Sequence, residues 1–232
     1  MGWRPQAGPA AYGRSMLLYR VGAPLGAVLG PRPVAVAGTR DPTPEGAHLA
    51  REVGRRLAEC GCSVVTGFAR GVDESAAFGA LEAGGRVAAV VPYLLEEGGG
   101  LNPRALRLLR AAAERGATAS AVAENLVKDG RRVRAWLAAR NRVIARFAAV
   151  LIVPEARYKL MHWGTRHAVE HALAAGRLVV VLKPRAKHGD VVGAFEHFRR
   201  RGAVAVKDVG EALGVVERYF SQLTGRFKDL WH

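Results

Sequence analysis

Cysteine and long apolar runs are both scarce in this chain of 232 residues. Its two cysteines, Cys60 and Cys62, stand one residue apart. This spacing excludes a disulfide framework, and no further cysteine completes a zinc-binding set. No segment approaches the roughly 20 apolar residues that a membrane-spanning helix needs. Residues 16–30 are mildly apolar, but Arg20, Pro24 and three glycines interrupt them, so they do not match a signal peptide. We therefore expect a cytoplasmic protein without membrane association.

The sequence also lacks the two common nucleotide-binding fingerprints. Gly38 alone stands where G-x-G-x-x-G would need more glycines, and no Gly-Lys-Ser or Gly-Lys-Thr of a P-loop occurs. Aromatic residues make up only 7% of the chain, so side chains on which nucleobases could stack are few. The stacking candidates are Phe68, Trp136, Tyr158 and Trp163, and we expect Trp136 to lie in the core instead.

Acidic residues are scarce relative to basic ones. Lys and Arg number 35 against 20 Asp and Glu, which gives a formal net charge of +15 and a pI near 10.9. A general enrichment in arginine would explain the excess without any function. An excess of this size nevertheless favours a polyanionic partner such as nucleic acid.

Apolar runs alternate with helical patterns from Val34 to Phe220. The runs rich in Val and Ala are continuous, which is typical of parallel strands buried on both faces. We predict an α/β protein with a Rossmann-like, doubly wound, mostly parallel sheet and helices on both faces. Residues 1–30 are expected to form a mobile tail, residues 31–222 a single domain, and residues 223–232 a second tail.

Ligands bind such sheets in the loops that follow the carboxyl ends of the strands. Two of these loops carry glycine beside arginine, a combination that lets an anion approach the backbone and meet a charged fork. The candidate phosphate-binding residues in the first loop are Gly38, Thr39 and Arg40. Those in the second are Gly67, Phe68, Ala69, Arg70, Gly71 and Asp73. A tight turn explains the first loop equally well, and for Asp73 capping or pairing with an arginine is a better explanation than acid–base catalysis.

Two later segments complete the set of candidates. Residues 131–146 contain six arginines and no acid, and helical spacing places Arg140 within an apolar face. A buried guanidinium needs a partner, for which Asp73 and Glu155 are candidates, whereas Arg142 and Arg146, one turn apart, point elsewhere and can meet phosphates in solvent. The candidate phosphate-binding residues of this helix are Arg140, Asn141 and Arg142. Gly164 and Thr165 begin a further helix and offer an anion-binding N-terminus.

The histidines suggest a metal, but only weakly. His167 and His171 lie one helical turn apart and His162 is nearby, yet Glu170 is the sole carboxylate at hand. Surface histidines explain the pattern as well, so we expect no metal, no cofactor and no catalytic residue.

Taken together, the segments resemble the DprA/Smf family of DNA-processing proteins. The resemblance rests on Val34-Ala-Val-Ala-Gly-Thr-Arg40, Thr66-Gly-Phe-Ala-Arg-Gly-Val-Asp73 and Ala139-Arg-Asn-Arg-Val-Ile-Ala145. It implies a Rossmann-like domain that binds single-stranded DNA, assists a RecA-type recombinase, forms a homodimer and performs no covalent chemistry. It also implies that Arg40, Arg70, Arg140 and Arg142 are the residues facing DNA.

The chain departs from the family pattern at three places. Ala77 stands where the family has His, Trp163-Gly164 replaces Ser-Gly, and Leu182-Lys183-Pro184 replaces Val-Pro-Gly. An alternative is an enzyme that resembles the LOG-type nucleoside-monophosphate phosphoribohydrolases, in which Arg70 and Asp73 would orient a ribose phosphate. That family uses Pro-Gly-Gly-x-Gly-Thr and a catalytic Glu, and this chain retains only Gly164-Thr165 of the motif.

Overall fold

The computed structural model describes residues 10–11, 17–22, 25–91, 107, 110, 117–122, 133–160, 164–185 and 188–228. The strands are β1 (Ala10–Ala11), β2 (Leu17–Gly22), β3 (Pro33–Val36), β4 (Ser63–Thr66), β5 (Val87–Val91), β6 (Ala117–Val122), β7 (Val150–Val153), β8 (Leu178–Leu182) and β9 (Val204–Val206). The helices are α1 (Leu25–Leu29), α2 (Pro44–Glu59), α3 (Val72–Glu82), α4 (Val133–Phe147), α5 (Thr165–Ala174), α6 (Gly189–Arg200) and α7 (Val209–Lys228). A 3₁₀ turn (Tyr158–Leu160) lies between β7 and α5.

The described strands form one sheet in the order β1-β2-β6-β5-β4-β3-β7-β8-β9. All neighbours in the part of the sheet that runs β6-β5-β4-β3-β7-β8-β9 pair in parallel. At one end of the sheet β2 pairs antiparallel with β6, and β1 pairs antiparallel with β2. The chain runs outward in one direction through β4, β5 and β6, and in the other through β7, β8 and β9. The strand order therefore reverses between β3 and β7, where a doubly wound sheet opens its binding crevice.

Helices cover both faces of this sheet. Alternate side chains of one strand point to opposite faces, so Val34 and Val36 pack with α2, α3 and α7. Ala35 and Ala37 instead pack with α1, α4, α5 and α6. Two apolar cores result, and the predicted α/β, Rossmann-like, mostly parallel architecture is confirmed.

The ends of the chain differ from the predicted boundaries. The segment expected to be a tail contributes β1, β2 and α1, and β2 pairs with β6 from Leu17↔Val122 to Gly22↔Ala117. The antiparallel strands β1 and β2 lack the continuous valine-rich pattern of the parallel strands, which is why the sequence did not reveal them. At the other end α7 continues to Lys228, beyond residue 222. No helix in the described ranges has the length and apolarity to cross a membrane.

The start of α2 connects the fold to the candidate site. Thr43 is the N-cap, and its side chain accepts a hydrogen bond from the Gly46 N–H at 3.0 Å. The buried Glu155, just after β7, accepts hydrogen bonds from the Thr43 N–H at 2.8 Å and from the Thr43 hydroxyl at 2.5 Å. A carboxylate at a helix N-terminus is stabilised by the helix dipole. Glu155 therefore fixes α2 at the end of the neighbouring strand.

The two cysteines have no functional environment. Both are free thiols, and Cys62 is buried in the core beside Leu57 and Val64. Burial raises the pKa of the Cys62 thiol from 9.0 to about 11, so the group stays protonated and unreactive near neutral pH.

Helices α2 and α3 pack with their backbones in contact at two glycines. A Cβ atom added to Gly54 would overlap the carbonyl oxygen of Ala76, and one added to Gly79 would overlap the carbonyl oxygen of Arg51. We predict that Gly54→Ala lowers the free energy of unfolding by about 2–3 kcal/mol, because the helices must move apart. Thermal unfolding followed by circular dichroism should show a melting temperature lower by roughly 4–12 °C.

The matched control is Gly189→Ala at the first residue of α6, where an added Cβ has no heavy atom within 4 Å. This variant should melt with the wild type or slightly above it. Equal melting temperatures for Gly54→Ala and Gly189→Ala would contradict the close helix contact.

Candidate functional site

A cavity of about 340 Å³ lies at the reversal of strand order. The turns after β3, β4 and β7 and the helices α4 and α5 line it. Most of the predicted site residues lie on its wall: Gly38, Thr39, Arg40, Ala69, Arg70, Asp73, Arg140, Asn141, Gly164 and Thr165. Four segments that are distant in sequence therefore meet at one concave surface.

The turn after β3 is held tightly against its neighbours. The Thr39 N–H donates to the carbonyl oxygen of Glu155 at 3.0 Å, and the Val72 N–H donates to the carbonyl oxygen of Thr39 at 3.1 Å. A Cβ on Gly38 would lie 2.5 Å from the same Glu155 carbonyl oxygen, so this position excludes any side chain. The turn ends at Arg40, which is exposed at the cavity mouth.

The turn after β4 mixes structural residues with exposed ones. Gly71 has φ of +97°, and a Cβ there would lie 2.5 Å from the Thr39 carbonyl oxygen. Phe68 is 5% exposed and packs in the core, so its ring lies off the cavity wall. Arg70 is exposed, and its Nε donates to the carbonyl oxygen of Arg40 at 3.3 Å. This contact holds the two arginines at the same mouth.

Asp73 joins the two turns from beneath. Its carboxylate accepts hydrogen bonds from the Gly38 N–H at 3.2 Å and the Ala69 N–H at 3.5 Å. Burial raises the pKa of Asp73, opposed by the charges of Arg140 and Arg40 and by the two N–H groups. The buried carboxyl group thus holds the two turns together at the cavity wall.

Arg140 is 5% exposed and Asn141 is 2% exposed on α4. The Arg140 Nη1 donates to the Gly67 carbonyl oxygen at 2.8 Å, and its Nε and Nη2 donate to the Asn141 Oδ1 at 3.3 and 3.2 Å. The Asn141 Nδ2 in turn donates to the Gly164 carbonyl oxygen at 3.3 Å. This chain of hydrogen bonds links the second turn to the start of α5.

Of the two candidate partners of Arg140, Glu155 is not the one that it contacts. Glu155 binds Thr43 at the start of α2, because its position directly after β7 faces that helix end. The charge of Arg140 does act on Asp73, where it lowers the pKa against the effect of burial. Arg142, two residues further along α4, is exposed and lies away from the cavity wall.

The N-terminus of α5 borders the cavity at Gly164 and Thr165. Gly164 is the N-cap and has no side chain to cap the helix, and the first N–H groups of a helix are a favourable position for an anion. A Cβ on Gly164 would meet no heavy atom within 4 Å.

Arg157 is a cavity residue that the sequence reading missed. It follows β7 by four residues, lines the cavity, and lies 3.9 Å from the Asp41 carboxylate. The rule that ligands bind beyond strand ends would have included it, but no adjacent glycine marked it out. With Arg40 and Arg70 it gives the cavity three cationic side chains from three strand ends.

The histidines occupy α5 outside the cavity. The rings of His167 and His171 lie 6.4 Å apart, and His162 is outside the described residues. Within the described ranges no group of three residues could hold a metal ion. Burial and the charge of Arg142 lower the pKa of His171.

Of the departures from the family pattern, Ala77 is fully buried on α3 and packs in the core. A position facing the core does not contribute to the cavity. Trp163 lies outside the described residues.

The chain was compared with known proteins. No curated protein sequence matches it. DNA processing protein A from Helicobacter pylori, described for its single-stranded DNA binding mode, is 25% identical, with a TM-score of 0.70 and 87% of each chain covered. DNA processing protein A from Streptococcus pneumoniae is 28% identical with a TM-score of 0.70, and the match covers 85% of this chain and 65% of that one. A molybdenum cofactor binding protein from Rippkaea orientalis is 18% identical with a TM-score of 0.57, a likeness of fold alone.

A protein-family model matches a longer part of the chain than the sequence motifs cover. The model of the family described as DNA recombination-mediator protein A matches residues 5–217. This range includes β1 and β2 together with every turn of the cavity. The chain belongs to the DNA recombination-mediator protein A family.

Proposed function

We propose that the chain binds single-stranded DNA, with a phosphate in the cavity and the flanking backbone along its exposed arginines. The observation that carries the proposal is the convergence of Arg40, Arg70 and Arg157 on one cavity wall. Guanidinium groups bind phosphate oxygens through paired, charge-assisted hydrogen bonds. Family membership and the single-stranded DNA binding described for the Helicobacter pylori protein support the same conclusion.

The cavity divides its residues between support and binding. Arg140 and Asp73 already have partners in the backbone turns, so we assign them to positioning. Arg40, Arg70, Arg157 and the N–H groups at the start of α5 are assigned to phosphate. Arg142 is exposed outside the cavity and is assigned to a more distant phosphate. The proposal also includes the homodimer, the recombinase partner and the cytoplasmic location that membership of a recombination-mediator family favours.

The second candidate function is binding or hydrolysis of a nucleoside monophosphate. The cavity volume, at the low end for small-molecule sites, is compatible with one nucleotide. Exposure of Arg40 and Arg70 at the mouth favours the longer ligand, because a mononucleotide inside the cavity would leave their outer faces to solvent.

The experiment that separates these functions is a salt titration of oligonucleotide binding followed by fluorescence anisotropy. Four phosphate contacts, from the three cavity arginines and Arg142, predict a slope of about −3 in a plot of log affinity against log salt concentration. Nucleoside monophosphates should compete only weakly and should remain intact. Salt-independent oligonucleotide binding, or release of free base from a monophosphate, would overturn the proposal.

A further inference from the structure

A second concave surface is lined by the residue that follows Arg157 of the cavity. It is an open groove of about 890 Å³ between the 3₁₀ turn and α6, lined by Tyr158, Lys159, Gly193, His197 and Arg200 among others. We call it the Tyr158 groove. Arg157 lines the cavity and Tyr158 lines the groove, so consecutive residues, with Cα atoms about 3.8 Å apart, connect the two surfaces.

Tyr158 is presented to solvent rather than packed away. The residue is 51% exposed, the largest exposure among the large hydrophobic residues that the structure describes. Its ring meets the His197 ring edge-to-face, with centroids 5.7 Å apart and planes inclined by 72°. A Cβ placed on Gly193 would lie 3.6 Å from the Tyr158 Cβ, so α6 supports the tyrosine from below. An aromatic ring held in this way can stack on a nucleobase.

The rim of the groove carries positive charge. Lys159 and Arg200 are exposed, and neither forms an ion pair within the part of the chain that the structure describes. Two acids and a third cation also line the groove. Glu196 pairs with Arg199 at 2.7 Å, Asp190 accepts a hydrogen bond from the Lys159 N–H at 2.6 Å, and Arg201 pairs with Glu170 at 2.8 Å. Burial and the charges of Arg201 and Arg166 lower the pKa of His197, which favours the neutral form of its ring.

We propose that the Tyr158 groove is a second nucleic-acid subsite, in which Tyr158 stacks on a base while Lys159 and Arg200 bind adjacent phosphates. The inference rests on the proposed function, because it extends the path of the same single strand beyond the cavity. A single DNA strand that leaves the cavity beside Arg157 would meet the groove at the next residue, Tyr158. The combination of an exposed ring with flanking cations fits single-stranded nucleic acid, whose bases and phosphates are both accessible.

The test compares two fluorescent probes of equal length, a thymidine oligonucleotide of about 12 nucleotides and its abasic counterpart. Tyr158→Ala should weaken binding of the thymidine probe by roughly tenfold and leave binding of the abasic probe unchanged. Tyr158→Phe keeps the ring and should bind both probes as the wild type does. A Lys159→Ala/Arg200→Ala variant should weaken binding of both probes, because it removes phosphate contacts.

The outcomes distinguish this subsite from the proposed function. If Arg40→Ala weakens binding of both probes while Tyr158→Ala binds the thymidine probe as the wild type does, the groove is overturned and the proposed function stands. If the wild-type chain binds neither probe, both are overturned. Photocrosslinking of an iodouracil-substituted strand to Tyr158 would support the subsite directly, and crosslinking confined to the cavity residues would count against it.

Discussion

Replacing Arg40 and Arg70 together by alanine is expected to weaken the binding of a single-stranded oligonucleotide by at least about 100-fold near physiological salt. Each guanidinium loses a charge-assisted contact with phosphate worth about 1.5–3 kcal/mol, and 1.4 kcal/mol corresponds to a factor of ten. Both side chains are exposed at the cavity mouth, so their removal leaves the core packing intact. Anisotropy titrations at several salt concentrations measure the effect, and the salt slope should become shallower by about 1.4.

The control for this double variant is Arg56→Ala. Arg56 is exposed near the end of α2, far along the helix from the cavity, and its replacement removes one charge without altering the site. Its oligonucleotide affinity and salt slope should stay close to those of the wild type. Equal losses for Arg56→Ala and for one cavity arginine would show that net charge alone drives binding.

Replacing Arg140 by methionine is expected to cost about 3–5 kcal/mol of unfolding free energy, because one partner of a buried charged network is removed. The Gly67 carbonyl oxygen and the Asn141 Oδ1 would each lose donors, and the buried Asp73 would lose a neighbouring positive charge. Denaturant unfolding measures the change. Arg140→Lys should recover only part of it, since one ammonium group cannot reproduce the planar fork.

Arg142→Met on the same helix is the matched control for Arg140→Met. Arg142 is exposed, and surface substitutions usually change stability by no more than about 0.5 kcal/mol. Equal free energies of unfolding for Arg140→Met and Arg142→Met would contradict the positioning role of Arg140. Under the proposed function, Arg142→Met should instead show its effect in oligonucleotide binding.

The positions of the binding turns could be predicted from sequence because they follow from local rules. A buried strand, a glycine and an arginine at its carboxyl end are all visible within a few residues, which is why Gly38, Arg40 and Arg70 were found. Strand order is less local, yet continuous apolar runs such as 150–153 imply a parallel sheet and therefore place the strand ends on one edge.

Contacts between distant segments could not be predicted in this way. Glu155 is a candidate partner of Arg140 on sequence grounds, but in the structure it binds Thr43 at the start of α2, a contact between residues 112 positions apart in the chain. Phe68 follows Gly67 in a candidate loop, but its φ of 53° and its burial set it in the core. Arg157 and the supported ring of Tyr158 depend on the path of the chain after β7, which no periodicity specifies.

The cavity draws on residues from Ala37 to Ala168, which follow strands that leave the centre of the sheet in opposite directions. A nascent chain on the ribosome can complete β3, α2 and β4 long before β7 and α5 have emerged, and until then Arg40 and Arg70 have no opposing wall. Affinity for ligand is therefore a property of the finished fold, absent from its halves. Single-stranded DNA that binds only the folded protein also stabilises the fold by mass action. The fraction of protein bound to DNA and the resistance to unfolding should therefore rise together.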